Sequence, residues 1–142
     1  MCDASSTRAR AVIYTLALTG LSQAEKRNIT IAQLLTAASE TLGQQVNSVD
    51  EFISLETKLN DEILTLHITR EKVHHRYFTF LPPEATRQII AYLRERISIP
   101  DGRLHPSNPR TKGKLFVSVT GDPMSVYSAR MLIIRCGRNA GI

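Results

Sequence analysis

Residues 62–97 constrain the fold more than any other stretch of the chain. Leu64, Leu66 and Ile68 alternate with Thr65, His67 and Thr69, the period of a half-buried strand. Phe78 and Phe80, with Arg76 in the same phase, alternate with Tyr77 and Thr79 in a second segment of strand-forming residues. Between them runs Arg-Glu-Lys-Val-His-His-Arg, with Lys72 near its centre. Pro82 and Pro83 end the second strand, and one of them fits a first helical turn, where the missing N–H costs nothing. Ile89, Ile90, Leu93 and Ile97 then recur at helical spacing, which puts Arg87, Arg94, Glu95 and Arg96 largely on the outside. The stretch therefore reads as strand, basic turn, strand and amphipathic helix.

The rest of the chain has to pack around that unit. With 142 residues there is material for one domain and one core. The net charge of +5 argues for an anionic partner, either nucleic acid or a membrane surface, and says nothing about fold. No apolar run approaches the ~18 residues of a membrane span, and the first residues lack an apolar signal core, so a cytoplasmic protein is expected. Cys2 and Cys136 have no CxxC spacing and are expected to be free thiols.

Residues 1–7 are small and polar, a disordered end. Residues 7–19 carry a helical stripe of Val12, Ile13, Leu16 and Ala17, stopped by Gly20. Ser22 and Glu25 have capping-box spacing, as do Thr30 and Gln33 at the start of a helix over 30–42 that Gly43 can close. Residues 44–50 read as a polar loop. In 51–59, Ile53, Leu55 and Thr57 can share one side of a strand, and that reading is favoured; Phe52 beside Ile53 interrupts the alternation and leaves one more helical turn as the alternative. Residues 99–114 form a loop with three of the six prolines and with Arg103, His105, Arg110, Lys112 and Lys114; it suits phosphate contacts and plain solvent equally. Residues 115–119 are an apolar strand or extended segment, 120–123 a turn, and 124–136 a helix with Met124, Tyr127, Met131, Leu132, Ile133 and Ile134.

The chemistry visible in the residues is sparse. Arg70, Lys72, His74, His75 and Arg76 lie within seven residues, with Glu71 the one acid. Such a hairpin is either a solvated charged turn or a phosphate-facing one, and an ammonium there is both a cation and a proton donor. His74 and His75 are adjacent and point to opposite faces of a strand, so they do not share a metal, and no cluster has zinc spacing. Tyr14, Tyr77, Tyr92 and Tyr127 sit on helices or strands, where a packed ring with one hydrogen bond is the ordinary reading.

Three groups of residues, in order, resemble the catalytic domain of tyrosine recombinases, the phage-integrase family, and its archaeal-like members most. The first is Thr19, Gly20, Leu21 and Glu25; the second is Lys72, the run Tyr77 to Leu81, and Tyr92 with Leu93. The third is Leu115, Phe116, Ser118, Gly121, Pro123, Met124 and Ser125, followed by Arg138, Ala140, Gly141 and Ile142. The resemblance spans about residues 8–142.

It implies an α+β fold, mainly helical with a small three-stranded antiparallel sheet: part of a DNA breaking-rejoining catalytic domain. Lys72 is the matching hairpin lysine, which in the family protonates the leaving hydroxyl. Ser22 stands where the family has its first phosphate-binding arginine, and a serine cannot make that bidentate contact. The family's His-x-x-Arg box and nucleophilic tyrosine would follow Ile142, so of nucleophile, clamp and donor only the donor is visible. A fragment of a larger integrase is therefore expected, inactive by itself. Its implied partner is duplex DNA, met by Arg70, His74, His75, Arg76, Arg110, Lys112 and Lys114, with assembly as a homo-oligomer on DNA. Metal, cofactor, nucleotide and membrane are not expected.

The alternatives are a DNA-binding module with no enzymatic history, and a protein-interaction module with Met131, Leu132, Ile133 and Ile134 at a protomer interface. A phosphoesterase using His74 or His75 lacks any nucleophile beside them.

Overall fold

Local capping and one hairpin define the architecture. The computed structural model describes residues 7–19, 29–70, 75–100, 102–118 and 121–123. The expected loose end, the Ser22–Glu25 capping box and the helix over 124–136 lie outside the described residues.

Helix α1 (Thr7–Thr19) buries Ala9, Ala11, Val12 and Thr15. Its stripe is rotated from the expected one, since Ala17 is exposed. A hydroxyl on the buried face is tolerated because Thr15 Oγ1 donates to the Ala11 carbonyl at 2.8 Å. Helix α2 (Ile31–Leu42) starts at the expected capping box. Gln33 N–H donates to Thr30 Oγ1 at 3.2 Å, and Thr30 N–H donates to Gln33 Oε1 at 3.0 Å. Gly43 closes the helix in the left-handed conformation.

Residues 51–59 are helical and not a strand. Helix α3 (Val49–Ser54) is followed by the single turn α4 (Glu56–Leu59). Ser48 caps α3 by accepting from Glu51 N–H at 3.1 Å, and Glu51 Oε2 accepts from Asn47 N–H at 3.3 Å. Phe52 and Leu59 are the buried residues, whereas Ile53 and Leu55 pack at the margin of the core. The sheet consequently has two strands among the described residues, not three.

Strands β1 (Leu64–Arg70) and β2 (His75–Leu81) pair antiparallel from Leu64–Leu81 to Arg70–His75. Leu64, Leu66, Ile68 and Leu81 face the core, and Phe78 and Phe80 face outward, each more than half exposed. Helix α5 (Pro83–Ser98) begins with Pro83 in its first turn, and the Pro82 carbonyl accepts from Ala85 and Thr86 N–H. The helix lies against α1, α3 and α4, while α2 packs on β1. It buries Ala85, Thr86, Ile89, Ile90, Tyr92 and Leu93. Arg96, expected at the surface, is also fully buried.

The last described segment returns to the core. Leu115, Phe116 and Val117 are buried in an extended segment joined by single bridges, Thr30 to Lys114 and Val117 to Pro123. Gly121 turns the chain with φ of 96°, and a Cβ there would stand 2.3 Å from the Arg103 carbonyl oxygen. Gly121→Ala is expected to cost about 2 kcal/mol or more, combining left-handed strain with a clash against backbone. Urea unfolding measures it, and an unchanged midpoint would refute the close approach.

Candidate nucleic-acid interface

The expected site residues fall into two groups. Arg70 and His75 form the last pair of the β1–β2 ladder, and Arg76 pairs with Thr69. The backbone thus carries all three to the turn end of a regular hairpin. Lys72, His74 and Ser22 lie outside the described residues.

The second group, Arg110, Lys112 and Lys114, rides on the segment after α5, and a feature the sequence reading placed elsewhere holds that segment down. Arg96 Nε donates to the Leu104 carbonyl at 2.8 Å, and Nη1 donates to the carbonyls of Lys114 at 3.1 Å and Leu115 at 3.0 Å. Its guanidinium lies 5.9 Å from the centre of the Tyr92 ring, within cation–π range. Tyr92 stacks on Phe116 and its hydroxyl accepts from Val117 N–H at 3.1 Å. This buried tyrosine is a packed ring with one hydrogen bond, as expected. Burial lowers the Arg96 pKa, with Tyr92 opposing, and raises that of Tyr92, with the nearby Arg96 charge opposing. Four backbone groups of residues 104–117 are thereby tied to two side chains one helical turn apart.

Arg110 is engaged on the surface. Its Nε and Nη2 donate to the two carboxylate oxygens of Asp122 at 2.7 and 3.1 Å, and the hydrogen bonds and charge of Asp122 raise its pKa. A guanidinium held this way presents a neutralised pair to an incoming phosphate. Lys112 is exposed with φ of 53°, in the C-cap of the 3₁₀ turn Pro109–Thr111, and Lys114 is half-buried. Lys112 also borders a cleft of about 620 Å³ between the start of α2, Val49 and the loop at His105. There His105 Nδ1 accepts from Ser107 N–H at 3.1 Å and lies 2.7 Å from Ser107 Oγ, a local turn contact.

Among the described residues no group of His, Cys, Asp and Glu could hold a metal ion, and no helix is long and apolar enough to cross a membrane.

No protein-family profile and no curated protein matches the chain. Among solved structures, the crystal structure of XerA recombinase is similar over 99% of this chain and 39% of that one, with a TM-score of 0.65 and 21% identity. The chain thus spans well under half the length of that recombinase. At this identity the likeness is one of fold: a mixed, mainly helical, recombinase-like arrangement with an antiparallel hairpin.

Proposed function

We propose that these 142 residues are part of a tyrosine-recombinase-type catalytic domain, bind duplex DNA, and do not cleave it by themselves. The carrying observation is that the likeness to the XerA recombinase fold extends over 99% of the chain, which supports the family resemblance of the ordered motifs at the level of fold. Within this reading Lys72 is the leaving-group proton donor of the complete enzyme. Ser22 occupies the arginine position without its function. Arg70, His74, His75, Arg76, Lys112 and Lys114 meet phosphates, and Arg110 contributes less because Asp122 already holds it. Residues 8–142 act as one unit, which can assemble as a homo-oligomer on DNA. The covalent step needs a tyrosine nucleophile and an arginine clamp beside the lysine, and in the resemblance a serine, Ser22, stands at the arginine's place.

The test is binding to a short duplex across a salt series. The four formal cations proposed to meet phosphates, Arg70, Arg76, Lys112 and Lys114, predict a log–log slope of about −3.6, since each phosphate contact contributes roughly −0.9. A nicked duplex incubated with the chain should yield no covalent protein–DNA adduct. A salt-independent association, or none at low salt, contradicts the DNA-binding reading; a covalent adduct contradicts the inactivity.

A further inference from the structure

The outward face of the hairpin carries a feature that the proposed phosphate contacts do not account for. Phe78 and Phe80 are 58% and 55% exposed. Their ring centres are 5.7 Å apart at 72°, and the exposed His67 ring lies 6.4 Å from Phe78. The cross-strand neighbours are polar: His67 opposite Phe78 and Thr65 opposite Phe80, with the Glu40 carboxylate 3.5 Å from His67 Nε2. A strand that places two phenyl rings in water exposes apolar surface where Thr, another strand-forming residue, would serve the sheet as well.

We propose that this face is a stacking platform for unpaired bases of single-stranded nucleic acid. Four observations favour bases over a protein partner. Two half-exposed phenyl rings offer on the order of 200–300 Å² of apolar surface, far below the ~800 Å² per partner of a stable interface. Their direct cross-strand partners are polar, and Ile63, 57% exposed and two residues before Thr65 in the same alternation phase, adds one more apolar side chain, which leaves the patch well short of such an interface. The centre spacing of 5.7 Å exceeds the ~3.4 Å step of stacked bases in a duplex, so successive bases reach both rings only when unstacked, and a base pair in a duplex hides its π-faces altogether. Charge is graded along the ribbon: residues 70–76 hold three formal cations against one acid, whereas Glu40 lies at the ring end. Phosphates are drawn towards the turn and neutral bases are left over the rings. The inference does not depend on the duplex reading, and the two fail separately.

The experiment uses the full 142-residue chain with a fluorescent oligothymidylate of about twelve nucleotides and, in parallel, a duplex of equal length. The chain contains no tryptophan, so Phe78→Trp introduces a single reporter on the platform. F78W should bind the oligothymidylate at least as tightly as wild type, with its emission quenched by stacking. F78A/F80A should weaken single-strand binding roughly tenfold or more and leave duplex affinity within about twofold, these side chains being outside the core. Duplex binding without single-strand binding would overturn the platform and leave the proposed function standing. Phenylalanine-dependent single-strand binding without duplex binding would do the reverse. Single-strand binding indifferent to F78A/F80A, or a change of oligomeric state in F78A/F80A by sedimentation, would also overturn the platform, the latter identifying a self-association patch.

Discussion

Replacing Arg96 with methionine is expected to destabilise the chain by about 3–5 kcal/mol, although methionine matches its length and suits a core. Exchanging a buried ion pair for apolar residues is often neutral because both partners are removed together. Here the partners are the backbone carbonyls of Leu104, Lys114 and Leu115, and no substitution can remove those. Methionine leaves three acceptors without their donor, each at a cost of about 1–3 kcal/mol less whatever water recovers. Arg96→Lys should fall between the two, because one ammonium is a point charge that cannot span three carbonyls set by a planar fork. At this chain length the methionine variant corresponds to a fall in melting temperature of roughly 10 °C or more. A melting temperature within about 2 °C of wild type, a shift of under one kcal/mol, would contradict the anchoring role of Arg96.

Phe52→Ala is expected to cost about 3–5 kcal/mol, and Ile53→Ala about 1 kcal/mol. The contrast follows from α3 being a helix. Phe52 is wholly buried and Ile53 only partly, so one truncation opens a cavity and the other thins a margin. In a strand carrying Ile53, Leu55 and Thr57 on its core face, the order would be reversed. Urea unfolding of the two variants therefore tests the secondary structure of this segment as well as its packing, and a larger loss for Ile53→Ala would contradict the helix.

What the sequence made legible was local. The Thr30–Gln33 box, Gly43, the proline at the start of α5 and the alternation in β1 each act within a few residues of themselves, and each appears where expected. Residues 51–59 misled because Ile53, Leu55 and Thr57 imitate a period of two, while the stronger signal, Ser48 three residues before Glu51, caps a helix. Arg96 carries a charge that points to the surface, whereas its position points inward. It stands seven residues after Ile89 and three after Leu93, on the buried stripe itself, but its carbonyl partners come from residues 8 to 19 further along, and no local pattern announces them. The facing of β2 was ambiguous alone, since both its phases contain apolar residues. Pairing with β1 decides it: Leu66 meets Thr79 on the core side, and His67 meets Phe78 outside. Of the candidate site, composition gave the two basic segments, and the roles of Lys72 and Ser22 rest on the family resemblance.

The most direct test of the proposal that the hairpin faces DNA is the affinity of wild type and of R70A/K72A/R76A for the same short duplex at about 0.1 M salt, where surface charges act over ~10 Å. Loss of affinity by roughly tenfold or more, with the salt slope reduced by about 2–3, is the predicted result. Equal affinity and equal slope in the two proteins would contradict it and move the DNA contact, if any, away from the hairpin.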